Sequence, residues 1–190
     1  IECENKALVS ATPIEISDPR FEDFERVNII PDFDFSKDLA LLITNNVLQS
    51  VKDTLKSLDG NVFIFCNSTD MIYNLMKQLD LFEESSVFCS SNSVKKLKND
   101  KDVKFKNAYE DWDVKHMKRY NWLTSRFYNA VDIKLDEQPN VILLSNCYFS
   151  IHTIIDPCTD AIQATGRFRN GVSSITHIVN VNPNLRVQSK

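Results

Sequence analysis

Helical periodicity and short apolar runs alternate along most of the chain. After Ser36, a preferred N-cap residue, and before Gly60, apolar residues recur at helical spacing. They are Leu39, Leu42, Ile43, Val47, Val51, Leu55 and Leu58. This spacing predicts one helix from Ser36 to the glycine. The nearly continuous apolar run that follows, residues 62–66, predicts a strand covered on both faces.

The same alternation continues to the end of the chain. Further strands are predicted at residues 86–89, 120–124, 141–144 and 175–181. Predicted helices begin at Ser68 or Thr69, near Asn92, and at Asp156, where Pro157 occupies the first helical position and the helix runs toward Gly166. We therefore expect an α/β layered fold with a mainly parallel central sheet and right-handed crossovers.

The first 37 residues differ from the rest. Residues 7–9 and 27–30 are short strand candidates, and the acidic, proline-punctuated stretch from residue 13 to 38 is typical of a linker. The pattern predicts a connection over residues 1–37 and one folded domain over residues 38–190. The chain starts at Ile1 without a basic segment, so we expect no signal peptide and a boundary inside a longer protein.

Composition indicates an ordinary globular protein, with 43% hydrophobic and 25% charged residues among 190. No apolar run approaches the roughly 18 residues of a membrane-spanning helix. Five dispersed cysteines without a CxxC pair favour free thiols in a reducing, cytoplasmic compartment, and their spacing argues against a zinc site.

Charge is unevenly distributed along the chain. Residues 1–38 carry ten acidic and four basic side chains, whereas residues 94–119 carry nine basic and five acidic ones. A basic stretch can follow a phosphate backbone, although such a run can equally be a solvated helix and loop.

The segment from Gln163 to Gly171 carries the strongest chemical signal. Gln163, Gly166 and Arg167 lie three and four residues apart, so a helix would present them on one face. Two permanent cations, Arg167 and Arg169, with a hydrogen-bonding amide and a glycine that permits close approach, suit a transferring triphosphate. The alternative is a basic helix end that interacts with its own dipole.

Four segments in order resemble motifs of the superfamily 2 helicases. They are Ser10-Ala11-Thr12 (motif III), residues 62–68 with the following helix (motif IV), Leu123–Ser125 with residues 130–133 (motif V) and Gln163–Arg169 (motif VI, usually QxxGRxxR). The last has one residue, Phe168, between its arginines. It is closest to the origin-binding helicase group of large DNA viruses, which favours DNA over RNA.

The resemblance implies that residues 38–190 are the second RecA-like motor domain of an ATP-dependent helicase or translocase, and that residues 1–37 are the end of the first motor domain, with motif III, and the linker. ATP and Mg²⁺ would be held mainly by an N-terminal motor domain outside this chain, and a single nucleic-acid strand would be the other partner, with no membrane. The implied roles are Arg167 and Arg169 as arginine fingers, Gln163 near the γ-phosphate, Asp132, Gly166, Ser10 and Thr12 at the nucleotide, and Thr124, Ser125, Asn67 and Ser68 on the strand backbone.

The sequence differs from the usual helicase motifs at two positions, and it contains no phosphate-binding loop. Ala130 stands where motif V usually has glycine, and the early second arginine leaves open which guanidinium is the main finger; we favour Arg167. The three glycines, Gly60, Gly166 and Gly171, cannot form a GxxxxGK[ST] loop, so the chain alone is expected not to hydrolyse ATP.

Aromatic residues gather near the motif V strand: Trp112, Tyr120, Trp122, Phe127 and Tyr128. They can pack in a core or stack on bases, and Phe127 and Tyr128 are the first candidates for stacking. Two other functions stay open. One is a catalytically inactive RecA-like module that binds nucleic acid or serves as a scaffold. The other is an unrelated α/β nucleotide-binding enzyme, against which the lack of a glycine-rich loop argues.

Overall fold

A computed structural model describes residues 9–10, 12, 17–30, 32, 36–99, 105–129 and 131–181. The chain divides into two compact units, Ile1–Asp38 and Leu39–Lys190. In the described part of the first unit, Pro19–Phe21 forms a 3-10 helix. Asp18 caps it and pairs with Arg20 at 2.6 Å. The hydrogen bonds from Arg20 hold the pKa of Asp18 below its usual range.

Seven parallel strands form the sheet of the second unit, in the order β1-β7-β6-β2-β5-β3-β4. The strands are β1 (Ala40–Thr44), β2 (Val62–Phe65), β3 (Ser85–Phe88), β4 (Ala108–Tyr109), β5 (Tyr120–Leu123), β6 (Asn140–Ser145) and β7 (Ser174–Asn180). Helices flank the sheet, so the architecture is a three-layer α/β fold consistent with a RecA-like domain. The predicted fold class is confirmed.

The helices are α1 (Val47–Ser57), α2 (Thr69–Leu79), α3 (Ser91–Lys98) and α4 (Asp160–Thr165). Residues of the first three helices pack with one face of the sheet in a core around Ile64 and Trp122. Residues of α4 and of the loop after β5 pack with the other face, around Phe63, Phe65 and Leu143. Both faces of the central strands are therefore buried, as the continuous apolar runs predicted.

The predicted helix from Ser36 is wrong over its first part. Residues 36–39 are not helical, and residues 40–44 form the edge strand β1, paired with β7. A continuous apolar run fits helical spacing as well as strand spacing, so periodicity could not separate the two. The helix begins only after Asn46, whose side chain accepts a hydrogen bond from the Gln49 amide at 3.1 Å.

The predicted helix start at Asp156 is also wrong. The Asp156 carboxylate accepts hydrogen bonds from the Thr159 hydroxyl at 3.0 Å and from the Cys158 and Thr159 amides, each at 2.8 Å. These bonds hold a turn and lower the pKa of Asp156, and α4 begins after that turn. Residues 27–30 are not a strand. The strand candidate at residues 7–9 lies mostly outside the described residues.

No helix among the described residues is long and apolar enough to cross a membrane.

Candidate functional site

The residues of the motif VI-like segment meet at the end of α4. The Arg167 guanidinium donates to the Gln163 carbonyl at 3.0 Å, to the Gln163 side-chain oxygen at 3.1 Å and to the Asn129 carbonyl at 3.4 Å. Within the described residues Arg167 forms no ion pair, and it is half-buried. Gln163 and Arg167 are therefore in contact as expected, but α4 ends at Thr165, so Arg167 lies beyond the helix and does not share a helical face with Gln163.

Main-chain hydrogen bonds join this segment to the motif V-like segment. Ile133 and Phe168 form an isolated parallel bridge. The Ile133 amide donates to the Arg167 carbonyl at 2.9 Å, and the Arg169 amide donates to the Ile133 carbonyl at 3.0 Å. Phe168 is buried against the rings of Phe63 and Phe65 on β2, at centroid distances of 5.0 and 6.3 Å. Arg167 and Arg169, which flank Phe168 in the sequence, consequently lie next to this face of the sheet.

The bridge brings Asp132 to Arg169. The Arg169 guanidinium donates to the Asp132 carboxylate, and both side chains are about half exposed. A surface pair of this kind contributes roughly 0–1 kcal/mol of stability. Because the pair is accessible, a phosphate could replace the carboxylate as partner of the guanidinium at little cost in folding free energy.

Gly166 ends α4 with a helical φ of −67°. A Cβ at this position would lie 2.9 Å from the Ile162 carbonyl oxygen, too close for the backbone to accept without a shift. The absence of a side chain at Gly166 is therefore required by the preceding helical turn. The implied role of Gly166 at the nucleotide stays a prediction.

A second cluster lies at the carboxyl ends of β2 and β5, which are neighbours in the sheet. The Asn67 side-chain oxygen accepts from the Ser125 hydroxyl at 2.7 Å and from the Ser125 amide at 3.3 Å. Its amide nitrogen donates to the His152 carbonyl at 2.9 Å in the loop after β6. Two residues predicted to contact a strand backbone are therefore in direct contact, although 58 positions separate them in sequence.

The other two candidates for strand contacts have structural partners. Thr124 is 9% exposed, and its hydroxyl lies 3.5 Å from the Phe88 carbonyl. Ser68 caps α2 by accepting from the Met71 amide at 3.2 Å. Ser125 is exposed, so of the two hydroxyls that follow β5 it is the more accessible to a phosphate.

Ser10 and Thr12 belong to the first unit. The Thr12 amide donates to the Ser10 hydroxyl at 3.1 Å. This contact holds the motif III-like segment locally and leaves the implied role of both residues at the nucleotide a prediction. Ala130, the departure from motif V, lies outside the described residues.

The aromatic candidates are mainly core residues. Phe127 and Tyr128 are each 4% exposed, and Trp122 is fully buried with its indole nitrogen 3.1 Å from the Ser85 hydroxyl. Trp112 is partly exposed and packs against the rings of Phe63 and Phe88, at 5.4 and 4.9 Å. Trp112 is thus better placed for stacking on a base than the pair named from sequence.

Three basic residues in the described part of the stretch from 94 to 119 pair with carboxylates. Lys96 pairs with Asp70 at 2.5 Å, Lys115 with Asp113 at 2.6 Å, and Arg119 with Glu84 at 3.9 Å. They lie in α3, in the 3-10 helix Val114–His116 and directly before β5. The interpretation of a solvated helix and loop fits these three residues.

The donor set around α4 fits phosphate oxygens better than a metal ion. Arg167 and Arg169 supply guanidinium donors, which suit a β- or γ-phosphate of ATP. Asp132 is the nearby carboxylate, and Arg169 already engages it. Across the described ranges no group of three His, Cys, Asp or Glu side chains could hold a metal ion. The implied contacts with ATP and Mg²⁺ stay predictions.

Sequence reasoning missed a buried polar pair and one orphaned hydroxyl. The Ser145 hydroxyl lies 2.9 Å from His177 Nε2 and accepts from the Ile155 amide at 2.9 Å. Burial lowers the pKa of His177. The Tyr128 hydroxyl is buried and has no hydrogen-bond partner among the described residues. Neither feature has a signal in the sequence, because each depends on how distant segments pack.

Comparison with known proteins finds no matching family model and no matching curated protein.

Proposed function

We propose that residues 38–190 act as the second RecA-like domain of an ATP-dependent helicase or translocase. In this proposal the domain supplies Arg167 and Arg169 to ATP bound by an N-terminal motor domain of the same protein, and Asn67 and Ser125 contact one strand of nucleic acid, preferably DNA. The observation that carries the proposal is the main-chain bridge of Ile133 with Phe168, together with the side-chain contact of Arg169 with Asp132. These contacts bring together the two segments that the resemblance assigns to the nucleotide.

The positive charge of Arg167, next to the bridge between Ile133 and Phe168, supports the proposed contact with ATP. The Gln163 side chain orients Arg167, which has no carboxylate partner within the described ranges. A guanidinium that reaches the γ-phosphate in the transition state contributes about 10³–10⁵ in rate. In this proposal Gln163, whose side-chain oxygen accepts from Arg167, helps to orient the phosphate or the attacking water.

Hydroxyl and amide groups at the carboxyl ends of β2 and β5 support the proposed contact with a nucleic-acid strand. Asn67 and Ser125 follow adjacent parallel strands, and the N-terminus of the 11-residue helix α2 begins at the same edge after Ser68. Neutral donors at strand ends and a helix N-terminus bind backbone phosphates without reading the base sequence.

Arg167→Ala in the full-length protein tests the proposal. We expect nucleotide binding close to normal and strand-stimulated hydrolysis lowered by about 10³-fold or more. The control is Arg119→Ala, since Arg119 carries the same charge, is exposed, and directly precedes β5, at the end of the sheet opposite to the carboxyl ends of the strands. Hydrolysis within tenfold of the unmodified protein would remove Arg167 from this role.

A second candidate is a RecA-like module that binds a strand without hydrolysis. The pairing of Arg169 with Asp132 favours it, since that guanidinium already has a partner within the domain. In such a module Arg167→Ala would leave strand binding unaltered, and the full-length protein would hydrolyse no ATP in the presence of any single strand.

A further inference from the structure

A pocket of about 240 Å³ opens between the loop after β4 and the segment after β5. Its lining residues are Asp111, Trp112, Arg126, Phe127 and Val131. The volume is below the roughly 300–1,000 Å³ of pockets that hold drug-sized ligands, and it suits one flat ring system better than a whole nucleotide.

The lining combines an aromatic surface with both kinds of hydrogen-bonding group. Trp112 is partly exposed, and its contacts with Phe63 and Phe88 hold the indole in place. Arg126 reaches Glu110 at 3.3 Å and Asp111 at 3.5 Å, both long for ion pairs, and its side chain is 44% exposed. A nucleobase has a π-face for the indole, carbonyl or ring-nitrogen acceptors for a guanidinium, and N–H donors for a carboxylate.

Residues that line the pocket are sequence neighbours of both clusters described above, the one around Asn67 and the one around Arg169. Arg126 directly follows Ser125, whose hydroxyl contacts Asn67 at the carboxyl edge. Val131 directly precedes Asp132, the partner of Arg169. The pocket residue Arg126 is thus the chain neighbour of the proposed phosphate contact Ser125.

We propose that this pocket receives one unpaired nucleobase of the bound strand, stacked on Trp112 and hydrogen-bonded by Arg126 and Asp111. The inference rests on the proposed strand contact at Asn67 and Ser125 and extends it from the phosphate backbone to a base. The domain then distinguishes a strand with accessible bases from a bare phosphate backbone or a closed duplex.

Tryptophan emission and fluorescence anisotropy together test the proposal on the 190-residue chain. The probes are a labelled mixed-sequence single-stranded DNA of about 12 nucleotides, a length within known site sizes, and an abasic strand of equal length. Both strands should raise the anisotropy, and only the base-bearing strand should quench Trp112. Trp122 is fully buried and should contribute a constant background.

Two variants separate the pocket from the backbone contact. Arg126→Gln should weaken binding of the base-bearing strand about fivefold or more and leave abasic binding nearly unaltered, apart from one lost charge. Arg119→Gln removes an equal charge from a side chain of similar exposure, 47%, and should leave the ratio of the two affinities at its normal value. Trp112→Leu should lower that ratio as well. Because Trp112 also packs in the core, Arg126→Gln is the deciding variant.

The outcomes distinguish the two proposals. If both strands bind and neither quenches Trp112, the base pocket is wrong and the backbone contact stands. If neither strand binds, the strand contact fails and the pocket assignment fails with it. Quenching by adenosine monophosphate but not by the strand would overturn the assignment to a strand base.

Discussion

Asn67 makes three hydrogen bonds that join the ends of β2, β5 and β6, so Asn67→Ala should have a measurable cost. Each such bond contributes roughly 0.5–1.5 kcal/mol net, and partial exposure places these in the lower half of that range. We expect a loss of about 2 kcal/mol and a melting temperature lowered by about 4–8 °C for a domain of this size. Urea and thermal unfolding followed by circular dichroism measure both quantities.

A double-mutant cycle with Ser125→Ala isolates the 2.7 Å contact between the two side chains. The coupling should be about 0.5–1.5 kcal/mol. Asn74→Ala is the matched control, because Asn74 is exposed on α2 and alanine favours the helix there. If Asn67→Ala and Ser125→Ala lower the stability additively, their side chains are not coupled and this explanation of the contact is wrong. It is also wrong if Asn67→Ala lowers the stability no more than Asn74→Ala does.

Asn67→Asp separates the structural role from the binding role. The carboxylate keeps the acceptor for Ser125, but its second oxygen faces the His152 carbonyl oxygen in place of a donor, so stability should fall at least as far as in Asn67→Ala. Strand affinity should fall more, because a negative charge would face the phosphates.

Two further predictions concern groups in the second unit. Tyr128→Phe removes a buried hydroxyl that has no described partner, so it should raise stability by about 1 kcal/mol; a loss in urea unfolding would show that the hydroxyl is satisfied. Burial lowers the pKa of His177, so the folded state binds fewer protons than the unfolded one. Stability should therefore be full above the ordinary pKa of 6.5 and fall as the pH drops below it. His177→Gln should flatten this slope between neutral and mildly acidic pH, whereas His152→Gln, at an exposed position, should not.

The sequence predicted those elements whose signals are local. The strand predicted at residues 62–66 is bounded by Gly60 and by the capping residue Ser68, and both of its faces are buried. The length of its apolar run and the flanking residues were therefore enough to predict it without knowledge of tertiary contacts. The edge strand β1 was missed because its apolar run precedes a genuine helix and extends that helix's pattern backward. The two-residue strand β4 is too short to give any pattern.

The candidate site was predictable in its residues and only partly in its arrangement. The spacing of Gln163 and Arg167 predicted their contact, although the helix ends at Thr165, before Arg167. The contact of Asn67 with Ser125 depends on β2 and β5 being neighbours, which strand order decides and sequence order does not. Arg126 was missed because a lone arginine after a serine has no signal until the fold places Trp112 beside it.

The bridge between Ile133 and Phe168 has a mechanical consequence. The chain from Ser125 to Ile133 is short, and two main-chain hydrogen bonds fasten its far end to the segment that carries both arginines. A ligand that displaces Ser125 would act on a segment of nine residues whose far end is hydrogen-bonded to the residues on either side of Phe168. The two clusters consequently share one short piece of chain, and coupling between them should be sought there before a rearrangement of the whole domain is invoked.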